Sequence, residues 1–137
     1  MKTISYLKIL VPTAGPVPAR ERAKDITRIA NSLNAELIIM HIITPEHMND
    51  EKRRSEGEEA LDIFSNSAEN LGIKTSKVLH EGELVPSIIE YSETNNIDLI
   101  VMGASEDQIV AEWIISDLKE HSKVPVVVVP YGFSSLI

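Results

Sequence analysis

The chain reads as a single α/β domain, residues 1–137, built on a mostly parallel, doubly wound sheet. Three features predict it. Short apolar runs alternate with longer stretches of helical periodicity along the whole chain, the pattern of repeated strand–helix–strand units. The runs Lys8–Pro12, Glu36–Ile43 and Asp98–Gly103 are largely continuous in apolar character, as strands covered on both faces are. With 137 residues and 43% hydrophobic composition, one domain suffices, burying roughly two-thirds of the unfolded surface.

The first strand, Lys8–Pro12, ends in Thr13-Ala-Gly-Pro-Val-Pro18, read as a loop in which glycine and two prolines lead into a helix. Ala23, Ile26, Ile29, Ala30 and Leu33 then recur at three- and four-residue steps, and Asn34 is the expected stop. After the second strand, Glu36–Ile43, the mixed charges of 49–59 read as a frayed helix start. Ala60, Leu61, Phe64, Ala68 and Leu71 are its buried face, with Gly72 placed to end it. Lys74–His80 is more polar than the other strands and is expected at an edge. Leu84–Asn95 is the third helix, with Pro86 tolerated in its first turn.

The strand from Asp98 to Gly103 runs directly into the fourth helix, where Ser105 and Gln108 have the spacing of a capping box. Free amides at such a start invite an anion, but Glu106 and Asp107 already satisfy that field. Ile109, Val110, Trp113, Ile114 and Leu118 form the apolar set of this helix, with Trp113 expected in core or dimer packing. Val126–Val129, between Pro125 and Pro130, closes the sheet.

Composition removes several chemistries. Thirteen basic residues against twenty-one acidic ones give a formal charge of −8, which opposes attachment to nucleic acid or to anionic membrane. The absence of cysteine excludes disulfides, a thiolate nucleophile and zinc–thiolate or iron–sulfur sites. The amino-terminal residues lead into a strand without a long apolar leader, and no apolar run approaches the roughly 20 residues that span a bilayer, so a cytoplasmic location is expected.

Several segments together resemble the universal stress protein family. They are Ile9-Leu-Val-Pro-Thr13, Asn34-Ala-Glu-Leu-Ile-Ile-Met-His-Ile42, Asn96-Ile-Asp-Leu-Ile-Val-Met-Gly103 and Glu120-His-Ser-Lys-Val-Pro-Val-Val-Val-Val129. The resemblance implies a three-layer, Rossmann-like fold of the adenine nucleotide alpha hydrolase type, with five strands in the order 3-2-1-4-5 and dimerisation often through the last strand.

Members of that family that bind ATP carry G-x2-G-x9-G-[ST] after the fourth strand, and only the first glycine, Gly103, is present here. Counted without gaps, Glu106 replaces the second glycine and Ser116-Asp117 the closing pair; aligned back from Pro125, that pair falls on Glu112-Trp113. The acidic residue that holds the nucleoside in the family corresponds to Ala14. Side chains in place of glycine block the approach of backbone amides to phosphate. Each carboxylate about 4 Å from a phosphate charge costs on the order of 1–4 kcal/mol, unless a divalent ion bridges the two. What remains of a nucleotide pocket is Pro12, Thr13, Ile42, Met102 and Gly103.

The resemblance therefore implies a universal stress protein of the type that does not bind ATP, with no enzymatic activity and no cofactor, acting as a dimeric stress-response or regulatory module toward a protein partner. Val126, Val127, Val128 and Val129 are its expected dimer interface, because an unpaired valine edge strand is an aggregation hazard that two-fold pairing removes. The alternative is a nucleotide-binding regulator or slow ATPase that uses ATP with Mg. A receiver-like signalling domain lacks its phosphoacceptor at Leu79-His80-Glu81, and Thr13-Ala-Gly-Pro16 is not a pyrophosphatase loop. His41 is expected to be a hydrogen-bonded structural residue rather than a base. The scattered His47, His80 and His121 do not form a metal site by spacing, and Ser116 has no neighbouring base.

Overall fold

The computed structural model describes residues 7–103 and 108–129, with side chains from 113 onward in the last helix. Its elements run β1 (Leu7–Thr13), α1 (Pro16–Ser32), β2 (Ala35–Ile43), a short 3-10 turn (Pro45–His47), α2 (Glu51–Asn70), β3 (Thr75–Glu81), α3 (Leu84–Thr94), β4 (Leu99–Gly103), α4 (Gln108–His121) and β5 (Val126–Val129). All pairings are parallel, and the strand order is β3-β2-β1-β4-β5. The doubly wound sheet and its order are as expected.

The continuous apolar runs are explained by two cores, one on each face of the sheet. Ile9, Val11, Leu37 and Ile39 pack with Ala23, Ile26, Leu61 and Phe64 of α1 and α2. Leu10, Ile38, Met40 and Ile100 pack with Val85, Ile88 and Leu118 of α3 and α4. Each central strand therefore needs an apolar side chain at every position, without alternation. β3 lies at one edge with most side chains exposed or half-buried, as its polarity predicts.

Helix boundaries follow local chemistry. Asn34 (φ 54°) and Gly72 (φ 71°) take the left-handed conformation just beyond α1 and α2, where the sequence places their stops. Two boundaries differ from expectation. The segment 13–18 is not a long loop: α1 begins at Pro16, because prolines in a first turn remove only N–H groups that lack an intrahelical partner. The charged segment 49–59 is ordered helix from Glu51, since the Asp50 carboxylate accepts from the amides of Lys52 (3.0 Å) and Arg53 (3.2 Å). Asp98 stands just before β4 rather than in it. Its carboxylate accepts from the Lys8 amide at 2.8 Å, and its own amide donates to the Lys8 carbonyl at 2.9 Å, which seats β4 beside β1.

Of the two placements expected for Trp113, core or dimer packing, the first does not hold. It is 67% exposed and is no part of the core of its own chain. α4 seats Ile114 and Leu118, one helical turn apart, against the sheet, and Trp113 lies about 100° around the helix from Ile114. The capping box Ser105–Gln108, the carboxylates Glu106 and Asp107, Glu112 and the tail 130–137 lie outside the described residues or side chains.

Candidate functional site

In a sheet of this order the chain winds in opposite directions from β1 and β4, and the carboxyl ends of those two strands open a crevice. A cavity of about 140 Å³ lies there. Pro12, Thr13 and Ala14 wall it from β1; Pro18, Arg22 and Ile26 from α1; Met102 and Gly103 from β4; and Phe64, Leu84, Ile114 and Ile115 from the other helices. Four of the five pocket residues expected from sequence thus line one cavity. Ile42 does not: it is buried in the core against α3 and α4, one strand removed from the crevice.

Arg22 is the residue that sequence reasoning missed. It is only 5% exposed, and its side chain runs against the end of β4. A Cβ placed on Gly103 would stand 2.7 Å from both Cγ and Cδ of Arg22 and 3.0 Å from its Nε. Gly103 is therefore required by packing: the space its missing side chain leaves is taken by the arginine stem. The signal was present, since Arg22 precedes Ile26 by one turn on the apolar stripe of α1, where a charged residue has a reason to be buried. Asp25, also buried, lies near the same stripe.

At the rim, the Nδ1 of His41 donates to the Thr13 carbonyl at 2.9 Å, the structural role expected of this histidine. Its ring packs on α2, where a Cβ on Gly57 would lie 2.3 Å from His41 Cδ2. Burial holds the imidazole below its ordinary pKa, opposed by the bond to Thr13 and by the Glu56 charge. The Thr13 hydroxyl is buried and has no hydrogen-bond partner.

Away from the crevice, Asp117, Glu120 and His121 bring their ligand atoms within 4.8 Å of one another at the end of α4. The histidine there is held by its neighbours. Its Nδ1 lies 3.0 Å from both the backbone and the side-chain oxygen of Asp117, and the backbone bond, with the charges of Glu120 and Asp117, raises its pKa. At the sheet edge, Val127 is 42% exposed, Val126 and Val128 are half-buried, and Val129 is enclosed in the core against α1 and α2.

The universal stress protein family model matches residues 5–130. The chain belongs to the universal stress protein family. A curated universal stress protein of Methanocaldococcus jannaschii is 31% identical over 111 residues, an alignment covering 73% of this chain and 65% of that protein. The chain thus spans somewhat under two-thirds of the length of this relative. Among solved structures, a universal stress protein in complex with cAMP superposes with TM-score 0.72 at 21% identity, covering 94% of this chain and 100% of that one. A universal stress protein from Archaeoglobus fulgidus in complex with dAMP gives TM-score 0.70 at 18% identity, over 90% of this chain and 97% of that one. At these identities the two structures establish the shared universal stress protein fold. Among the described residues, no helix is long and apolar enough to cross a membrane.

Proposed function

We propose that this universal stress protein does not bind ATP and acts without enzymatic activity, as a cytoplasmic, dimeric module in stress response or regulation that works through a protein partner. One observation carries the exclusion of nucleotide: the space beside Gly103, where a backbone amide would approach phosphate, holds the stem of Arg22. Two others agree with it. Ala14 offers no carboxylate to a ribose, and about 140 Å³ is small against the several hundred Å³ of common ligand pockets. The dimer would form through the outer edge of β5, with Val127 as its exposed apolar contact.

A second reading, a nucleotide-binding regulator or slow ATPase, is favoured by the guanidinium of Arg22 at the crevice, since a buried cation there attracts phosphate. Relatives seen with cAMP and dAMP belong to the same family. Isothermal titration with ATP, with and without Mg, separates the two. The expected result is no saturable heat. A dissociation constant below about 100 µM, an affinity near −5.5 kcal/mol, would overturn the proposal in favour of the second reading.

A further inference from the structure

The last turn of α4 carries a group of side chains that the crevice does not use. Asp117, Glu120 and His121 stand at i, i+3 and i+4, so they share one face of the helix. One ligand atom from each lies within 4.8 Å of the other two. Donors bound to a single zinc ion stand roughly 3–4 Å apart. Asp117 is half-buried and the other two are exposed, so small side-chain rotations close the three on one ion. The His121 ring is already positioned. Its Nδ1 is bonded to the Asp117 carbonyl at 3.0 Å, the kind of hold that fixes ring direction in metal-bound histidines and leaves the other nitrogen for the metal. A second observation comes from the neighbouring helix. A groove of about 510 Å³ sets Glu90 and Glu93 of α3 opposite Asp117 and His121, with no lysine or arginine in its wall. Among the described residues, no lysine or arginine pairs with any of these carboxylates. Acid at the carboxyl end of a helix opposes the dipole there, which favours a cation.

We propose that this end of α4 binds a divalent transition cation of the zinc, cobalt and nickel class through Asp117, Glu120 and His121, with water in the remaining positions. The imidazole sets the class. Magnesium and calcium take oxygen ligands, whereas a nitrogen beside two carboxylates suits zinc and its neighbours. Glu90 and Glu93 add to the field that draws the cation into the groove. Ligands from a single helical turn leave the site open to water, so binding is weaker than in closed four-ligand zinc sites. The site lies apart from the crevice and rests on neither the absence of ATP binding nor the dimer.

The test is isothermal titration of the full chain, free of any histidine tag and of nucleotide, with zinc chloride and in parallel with magnesium chloride. Zinc is expected to give one saturable event with a dissociation constant of about 1–100 µM, and magnesium none up to about 1 mM. His121→Gln and Asp117→Asn should each weaken zinc binding about tenfold or more, while His80→Gln leaves it unchanged. Nickel chloride at substoichiometric amounts then locates the ion by paramagnetic broadening of amide NMR signals, expected first at residues 117–121 and next at 90–94. If a variant does not fold, the nickel broadening on the unaltered protein still decides. No saturable zinc binding by about 1 mM, unchanged affinity in His121→Gln, or broadening centred on His47 or His80 would each overturn the proposal. Equal affinity for magnesium and zinc would overturn it too, since a diffuse acidic surface does not distinguish the two ions.

Discussion

The His41 ring bridges the ends of two neighbouring parallel strands: His41 stands opposite Thr13 in the β1–β2 register, and its Nδ1 donates to the Thr13 carbonyl across 2.9 Å. The same ring lies against the helix backbone at Gly57. A single side chain thus fixes the crevice rim to β2 and α2 together.

The first consequence concerns pH. Burial lowers the His41 pKa in the fold relative to its ordinary 6.5, so the neutral ring is the form the fold favours. The stabilisation this represents is complete above the unfolded value and is lost as pH falls through the folded one. Urea midpoints measured between about pH 7.5 and 5 should fall more for the unaltered protein than for His41→Gln, which has no proton to gain over that range. Parallel pH profiles for the two would contradict this account.

Gly57 and His41 should be strongly coupled. Alanine in place of glycine inside an exposed helix gains up to about 1 kcal/mol, but here the added methyl would meet the ring at 2.3 Å. Gly57→Ala is therefore expected to destabilise by about 1–2 kcal/mol. In a His41→Ala background the obstruction is gone, and the same change should become neutral or stabilising. A double-mutant cycle in urea measures this reversal of sign.

Thr13→Val should raise stability. The hydroxyl it removes is buried without a partner, and valine keeps the shape of the side chain. The expected gain is about 1 kcal/mol in denaturant unfolding. A loss of stability would mean that the hydroxyl is satisfied in solution.

Val127→Lys tests the dimer. Val127 is exposed on the outermost strand, so the change should leave the melting temperature of the monomer fold nearly unaltered. Sedimentation velocity should report a dimer for the unaltered chain and a monomer for the variant, because a lysine on an edge strand opposes pairing with a second copy. A variant that remains dimeric would place the contact elsewhere, with exposed Trp113 the next residue to change.

Much of the fold is legible because it rests on local rules. Continuous valine, isoleucine and leucine runs mark doubly covered strands, and Asn34 and Gly72 mark helix ends by conformations that few other residues adopt. The helix starts were less legible because they depend on one-residue details, the tolerance of Pro16 in a first turn and the cap supplied by Asp50. Trp113 stays outside its own chain's core because the apolar set of α4 spans more of its circumference than the sheet covers. The site was half legible. Strand ends gave Pro12, Thr13, Met102 and Gly103, whereas Arg22 comes from a helix whose apolar stripe hides a charge, and only tertiary packing shows that Gly103 exists to admit it.

The two edges of the sheet are unlike, and this sets how far association can run. On β3, Lys77 pairs with Asp62 and Glu81 with Arg54, so another strand laid there would have to displace ion pairs from water. β5 presents valines. Among the described residues, growth by strand addition has one open end and one blocked end, and two copies joined at their open ends would leave only blocked ends outside. Such a pair is self-terminating: crowding the protein should fill more pairs without seeding filaments.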